Sequence, residues 1–267
     1  MKDLQQLMDL TGRVALVTGG AGHIGSVAGE TLAELGASVI LVDLAEEGVT
    51  LAAERIAVGR RGLAIPVAGD LADETTLRGV ADRIGREFGR LDVLVNCAAL
   101  VGTSSLRGWV APFGEQLPET WRLALEVNLT VPFALTQACL GLMRTASRAS
   151  VVNVSSIYGM VGPVNQIYEG TPLGVPAAYA ASKGGLAQFT RWLATALAPE
   201  VRANSISLGG VWRGQPEAFV RRYKERTPLG RMAREQDIKG AIAYLASDLS
   251  EYVTGHNLVV DGGWTAW

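Results

Sequence analysis

The stretch Arg13 to Gly36 reads RVALVTGGAGHIGSVAGETLAELG. A short apolar run rich in valine enters a glycine-rich turn, and an amphipathic pattern leaves it. That is strand, tight loop, helix, the context in which glycines can bring backbone N–H groups and a helix N-terminus close to a phosphate. The loop TGGAGHIG can be parsed in two ways. Gly20, Gly22 and Gly25 spell G-x-G-x-x-G; Thr18, Gly19, Ile24 and Gly25 spell T-G-x-x-x-x-I-G, with His23 where a third glycine is expected.

The same alternation continues outward. Further strand candidates are ASVILVD (37–43), GLAIPVA (62–68), LDVLVN (91–96), SVVNVS (150–155), VRANSISL (201–208) and NLVVD (257–261). Their apolar runs are continuous rather than alternating, as strands covered on both faces require. Between them lie helical patterns such as 24–36 and 74–89, each followed by a plausible glycine stop at Gly36 or Gly89. This order predicts an α/β fold: a Rossmann-like, doubly wound, seven-stranded and mostly parallel sheet with helices on both faces. No linker or internal repeat interrupts it, so residues 1–267 are expected to form a single domain. Three segments, 99–117, 157–176 and 210–228, are expected to border one crevice at the carboxyl ends of the strands.

Composition narrows the partners. Of 267 residues, 48% are hydrophobic and 19% charged, and the net charge of −2 provides no basic footprint for nucleic acid. Two cysteines, Cys97 and Cys139, cannot make a disulfide framework. No signal peptide and no long uncharged apolar run is apparent, so neither a membrane nor nucleic acid is expected as a partner, and a cytoplasmic setting is expected. No His/Cys/Asp cluster has metal-ligand spacing.

Asp43 ends the second strand, eighteen residues beyond Gly25. A carboxylate there can accept from ribose hydroxyls and repels a 2′-phosphate, which favours NAD over NADP. Asp70 and Asn96 fall at the ends of the next two strands and are expected on the adenosine side of the same cleft. Among six tyrosines only Tyr179 has a lysine four residues on, in YAASK. On a helix these two side chains share a face. Bringing a phenol from its usual pKa to near 7 costs ~4 kcal/mol, and an ammonium beside it acts in that direction.

Taken together, TGGAGHIG, NCAA (96–99), Asn128 in EVNLT, VVNVSS (151–156) and YAASK (179–183) occur in one order across nearly the whole chain. In this the chain resembles the short-chain dehydrogenase/reductase family, and no single motif is nearly as specific as the set. The resemblance selects the loop parse that begins at Thr18. It implies a nicotinamide cofactor and a catalytic set of Asn128, Ser156, Tyr179 and Lys183. Tyr179 would exchange a proton with the substrate oxygen, and Ser156, with Ser155 as the alternative, would hydrogen-bond that oxygen. Lys183 would bind the nicotinamide ribose and lower the Tyr179 pKa, and Asn128 would hold a water linked to Lys183. Cofactor contacts are expected from Gly19, Gly22, His23, Ile24, Gly25, Asp43, Asp70, Leu71, Asn96, Ala98, Gly209 and Val211, together with Tyr179 and Lys183. His23 either points away from the nucleotide or donates near the pyrophosphate or ribose. The family implies a homodimer or homotetramer, often paired through the helix that carries YAASK; the tail with Trp264 and Trp267 could cap its own pocket or reach a neighbour.

Three departures from the family pattern stand out. NCAA replaces N-N-A-G, Leu208 stands where a proline precedes Gly209, and Arg213 stands where a threonine is usual. The substrate loops mix aromatics (Trp109, Phe113, Tyr158, Tyr168, Trp212) with polar groups (Arg107, Asn165, Gln166, Glu169, Arg213, Gln215). That mixture suits a sugar, polyol or sugar acid carrying a secondary alcohol or ketone. The alternatives are an NAD(P)H-dependent reductase of 3-oxoacyl or other small carbonyl substrates, and a non-enzymatic dinucleotide sensor.

Overall fold

A computed structural model describes residues 1–58, 62–102 and 104–267, so Thr103 of the first substrate loop lies outside the described residues. Elements alternate as the apolar runs require: α1 (Leu4–Met8), β1 (Val14–Thr18), α2 (His23–Glu34), β2 (Ser38–Asp43), α3 (Glu46–Ala57), β3 (Ala64–Ala68), α4 (Glu74–Phe88) and β4 (Val93–Asn96). The second half continues with α5 (Pro118–Leu125), α6 (Val131–Thr145), β5 (Ala149–Ser156), α7 (Ala177–Ala196), β6 (Val201–Leu208), α8 (Glu217–Glu225), α9 (Gln236–Ala246) and β7 (Asn257–Val260). The seven strands form one sheet in the order β3-β2-β1-β4-β5-β6-β7, and every pairing is parallel. The strand order reverses between β1 and β4, the point at which open sheets of this kind bind ligands.

The period of two along each strand divides the core. Ala15 and Val17 of β1 face one layer with Leu32 of α2, Ile56 of α3 and Ile242 of α9. Val14 and Leu16 face the other with Ile84 of α4, Leu135 of α6 and Leu193 of α7. This double coverage is what the continuous apolar runs encoded. The segment Pro118–Thr145 is long and apolar enough to cross a membrane by length and composition. Within it, however, α6 packs on the sheet through Val131, Leu135, Cys139 and Met143, and α5 packs against α7 through Ala124.

One sequence expectation changes. Segment 210–228 is not only loop, because α8 lies within it and buries Phe219 and Tyr223, four residues apart. The helix containing YAASK matches, but α5 and α6 are joined by a single π-helical turn, Glu126–Thr130, which holds Asn128. Such turns are frequent at functional sites.

Candidate active site

The loop after β1 decides its own parse. Gly20 sits against β2: a Cβ there would come within 2.7 Å of Leu41 Cβ, so this glycine serves strand packing. Gly19, Gly22 and Gly25 instead line the cleft. Gly19 has φ +70°, and a Cβ on Gly25 would meet the Gly19 carbonyl oxygen at 2.0 Å, so the tight turn onto α2 excludes any side chain. Thr18 ties this loop to the β4 exit, its Oγ1 accepting from the N–H groups of Cys97 and Ala98, both at 3.0 Å. A nicotinamide dinucleotide fits such a cradle: open glycine backbone at a helix N-terminus, with Asp43 at one end and Lys183 at the other.

The cleft holds about 700 Å³ and gathers most of the candidates. Gly19, Gly22, His23, Ile24, Gly25, Asp43, Asp70, Leu71, Ala98, Gly209 and Val211 all line it, as do Ser156, Tyr179 and Lys183. Asp43 accepts from the Ala21 N–H at 3.0 Å and the Ala45 N–H at 3.2 Å, which fixes the carboxylate beside the glycine loop. Asn96 does not present its side chain to the cleft. It is buried behind the β4 end, donating from Nδ2 to Asn153 Oδ1 at 2.8 Å, because the pleat turns it beneath the sheet. His23 is turned sideways at the cleft rim, where Nδ1 lies 2.6 Å from Glu235 Oε1. Its side chain therefore spans from the start of α2 to Glu235, just before α9.

The two serines at the end of β5 separate cleanly. Ser155 Oγ donates to the Lys183 carbonyl at 3.0 Å and so fastens α7 to the sheet. Ser156 lines the cleft together with the Tyr179 phenol, and its Oγ accepts from the Tyr158 N–H at 3.2 Å. Lys183, only 3% exposed, donates from Nζ to the Val154 carbonyl at 2.8 Å and stands 5.9 Å from the Tyr179 ring centroid. Asn128 lies behind them, fully buried: Oδ1 accepts from Leu100 N–H at 2.7 Å, and Nδ2 donates to Ser182 Oγ at 3.0 Å. It does not line the cleft; it braces α7 and the β4 exit loop.

Burial dominates the ionisation of this group. It pushes the Tyr179 phenol above its ordinary value, while the neighbouring Ser156 hydroxyl and then Arg213 pull it back. Burial also drives the Lys183 ammonium down to about 8. The Lys183 ammonium, expected to lower the Tyr179 pKa, is held by the Val154 carbonyl 5.9 Å from the Tyr179 ring centroid. The Cys97 thiol, pushed up to about 11 by burial, stays protonated.

The substrate end is less polar than its loops suggested. Of the aromatics and polar groups expected there, Tyr158, Tyr168, Arg213 and Gln215 line the cleft. Trp109 is buried in a separate cluster with Ala124 and Ala178, and Phe113 and Trp212 are exposed. Residues that sequence reading had not singled out complete the wall: Leu173, Val175, Phe219, Tyr223 and Met232. An i, i+4 apolar pair in EAFVRRYKE was the available signal for Phe219 and Tyr223. The tail folds back on its own chain, Trp264 stacking on Tyr223 at 4.4 Å between ring centroids.

A family model described as Enoyl-(Acyl carrier protein) reductase matches residues 19–265. The chain belongs to the short-chain dehydrogenase/reductase family. As a member it is an oxidoreductase acting on CH–OH groups with a nicotinamide dinucleotide. This short-chain dehydrogenase/reductase is 37% identical to the cis-4-hydroxycyclohexanecarboxylate dehydrogenase of Sinomonas cyclohexanicum, over 95% of its own chain and 97% of that protein. It is 36% identical to the cyclopentanol dehydrogenase of Comamonas testosteroni, over 95% of its chain and 97% of that one. A crystal structure of a gluconate 5-dehydrogenase from Burkholderia cenocepacia J2315, in complex with NADP and tartrate, superposes with a TM-score of 0.86 at 28% identity. That alignment covers 99% of this chain and 100% of the other.

Proposed function

We propose that this enzyme interconverts a secondary alcohol and a ketone on a compact cyclic or sugar-acid skeleton, with NAD(H) as its cofactor. The observation that carries this is the meeting of Ser156 and Tyr179 at one end of a cleft whose other end is marked by the Asp43 carboxylate. Gly19, Gly22 and Gly25 with the α2 N-terminus would hold the dinucleotide phosphates, Asp43 the adenosine ribose, and Lys183 the nicotinamide ribose. When bound, the nicotinamide supplies or accepts the hydride. Tyr179 gives its phenolic proton to the carbonyl oxygen in reduction and takes the hydroxyl proton in oxidation. Ser156 donates to that same oxygen as its charge grows. Asn128 and Ser155 hold α7 at the distance this proton transfer needs. The apolar wall of Leu173, Val175, Phe219 and Met232 excludes water and favours a compact carbon ring over a long acyl chain.

The cofactor reading rests on charge. Asp43 is followed by Leu44 and Ala45, and among the described residues lining that end no lysine or arginine is present to neutralise a 2′-phosphate. Turnover of cyclic hydroxy acids, polyols and 3-oxoacyl thioesters with NAD(H) and NADP(H) tests both parts. Cyclic or sugar-acid alcohols with NAD should lead by kcat/KM, and Asp43→Asn, which keeps an acceptor but removes the charge, should shift the NAD/NADP ratio toward NADP about tenfold or more. A lead by thioesters with NADPH would replace this reading with the acyl reductase.

We also propose a homo-oligomer paired through the outer face of α6 and α7. Phe133 and Trp192 are exposed there at 46% and 60%, with Phe189 joining them at ring distances of 5.9 and 6.4 Å. An aromatic strip of this kind on a water-facing surface marks an interface. In light scattering Trp192→Glu should lower the particle mass of the assembly; an unchanged mass places the interface elsewhere.

A further inference from the structure

We propose that Arg213 anchors a carboxylate on the substrate, so that the site selects ring hydroxy and oxo acids over neutral alcohols. The proposal deepens the alcohol–ketone reading above and rests on it for the position of the reacting carbon. Its own basis is the charge inventory of the cleft. Both carboxylates among the described lining residues, Asp43 and Asp70, stand at the strand ends β2 and β3, on the adenosine side. The cations among the described lining residues are Lys183 and Arg213, and the apolar side chains Leu173, Val175 and Phe219 line the same cleft. Lys183 is buried and committed to the Val154 carbonyl. Arg213 is exposed to the cleft, and among the described residues its guanidinium has neither a hydrogen-bond partner nor an ion pair.

The loop around it is tied down while the side chain is left free. The Arg213 N–H donates to Gln215 Oε1 at 2.7 Å, and Gln215 Nε2 donates back to the Val211 carbonyl at 2.8 Å. Arg213 lines the same cleft as Ser156 and Tyr179, on the segment that follows β6. A guanidinium matches a carboxylate bidentately, and apolar walls strengthen that pairing. Among the described residues no side chain pairs with this guanidinium, and a substrate acid would complete it. A neutral ring alcohol offers the guanidinium no opposite charge, and this difference is the source of discrimination.

Calorimetric titration of the enzyme–NAD⁺ complex with cyclohexanecarboxylate and with cyclohexanecarboxamide tests this without turnover, since neither compound has a hydroxyl to oxidise. The acid should bind at least about tenfold more tightly than the amide. Arg213→Gln should abolish that preference, Arg213→Lys should keep part of it, and NAD⁺ affinity should change less than twofold in both. Equal binding of acid and amide by the unaltered enzyme overturns the proposal, as does a preference that survives in Arg213→Gln. A tenfold loss of NAD⁺ affinity in Arg213→Gln also overturns it, by assigning the guanidinium to the dinucleotide phosphates. Absence of alcohol turnover with the acid preference intact would instead count against the dehydrogenase reading.

Discussion

Tyr179→Phe should lower kcat by about 10³-fold or more, while NADH still binds within a few fold of the unaltered affinity. Phenylalanine keeps the ring, its van der Waals contacts and its place on α7, so dinucleotide binding and thermal stability should be little changed. What disappears is the phenolic hydroxyl that lines the cleft with Ser156. Ser156 could still polarise a carbonyl oxygen, but it has no neighbouring base to exchange its proton. The pH profile carries the same signature. Because burial holds the Tyr179 phenol above the ordinary tyrosine value, the free enzyme keeps it protonated at neutral pH. Reduction, which needs the acid, should therefore be flat through neutrality and fall in alkali, and oxidation, which needs the base, should climb toward alkali. Stopped-flow and steady-state rates across pH, with fluorescence titration of NADH, decide the matter. Retention of more than a few per cent of kcat would show that another group moves the proton.

The parallel sheet was legible because a strand covered on both faces must be apolar at consecutive positions, and RVALVT, ASVILVD and LDVLVN are. The catalytic pair was legible for a similar reason: four residues on a helix bring Tyr179 and Lys183 to one face whatever surrounds them. Other features depend on contacts that leave no periodic trace. His23 and Glu235 are 212 residues apart, and nothing local in either segment announces their meeting. The π-helical turn at Asn128 adds one residue to a helix and is invisible to a pattern read at 3.6 residues per turn. The substrate loops misled for a different reason. Their composition mixes inward and outward side chains, and only the fold separates Tyr158 and Tyr168, which line the cleft, from Trp109, which anchors α5 to α7. Likewise, spacing placed Lys183 beside Tyr179 but could not show that its ammonium donates to the Val154 carbonyl.

That capture of Lys183 has a thermodynamic consequence. An ammonium that is 3% exposed, with a single carbonyl partner, is held in a site that disfavours its charge, and its pKa falls from 10.5 to about 8. The direction sets the sign of the linkage. Below about pH 8 the lysine is charged in both folded and unfolded chains, and folding bears the full desolvation cost. Between about 8 and 10.5 the folded chain sheds its proton first, the unfolded chain binds more protons, and stability rises with pH; above 10.5 the cost is gone. A drop of that size corresponds to roughly 3 kcal/mol. Lys183→Met keeps the length and apolar character of the stem and removes the charge, at the loss of one hydrogen bond worth about 1 kcal/mol. The dinucleotide-free variant should thus be more stable than the unaltered protein by on the order of 2 kcal/mol at pH 7, while being nearly inactive. Urea unfolding at several pH values should show this advantage shrinking steadily as pH rises from 8 toward 10.5. A variant less stable at neutral pH, or an advantage independent of pH, would mean that the charge of Lys183 is satisfied in the folded chain. A gain with that pH dependence would identify Lys183 as a group held at a cost to folding, consistent with selection for its place beside Tyr179 rather than for stability.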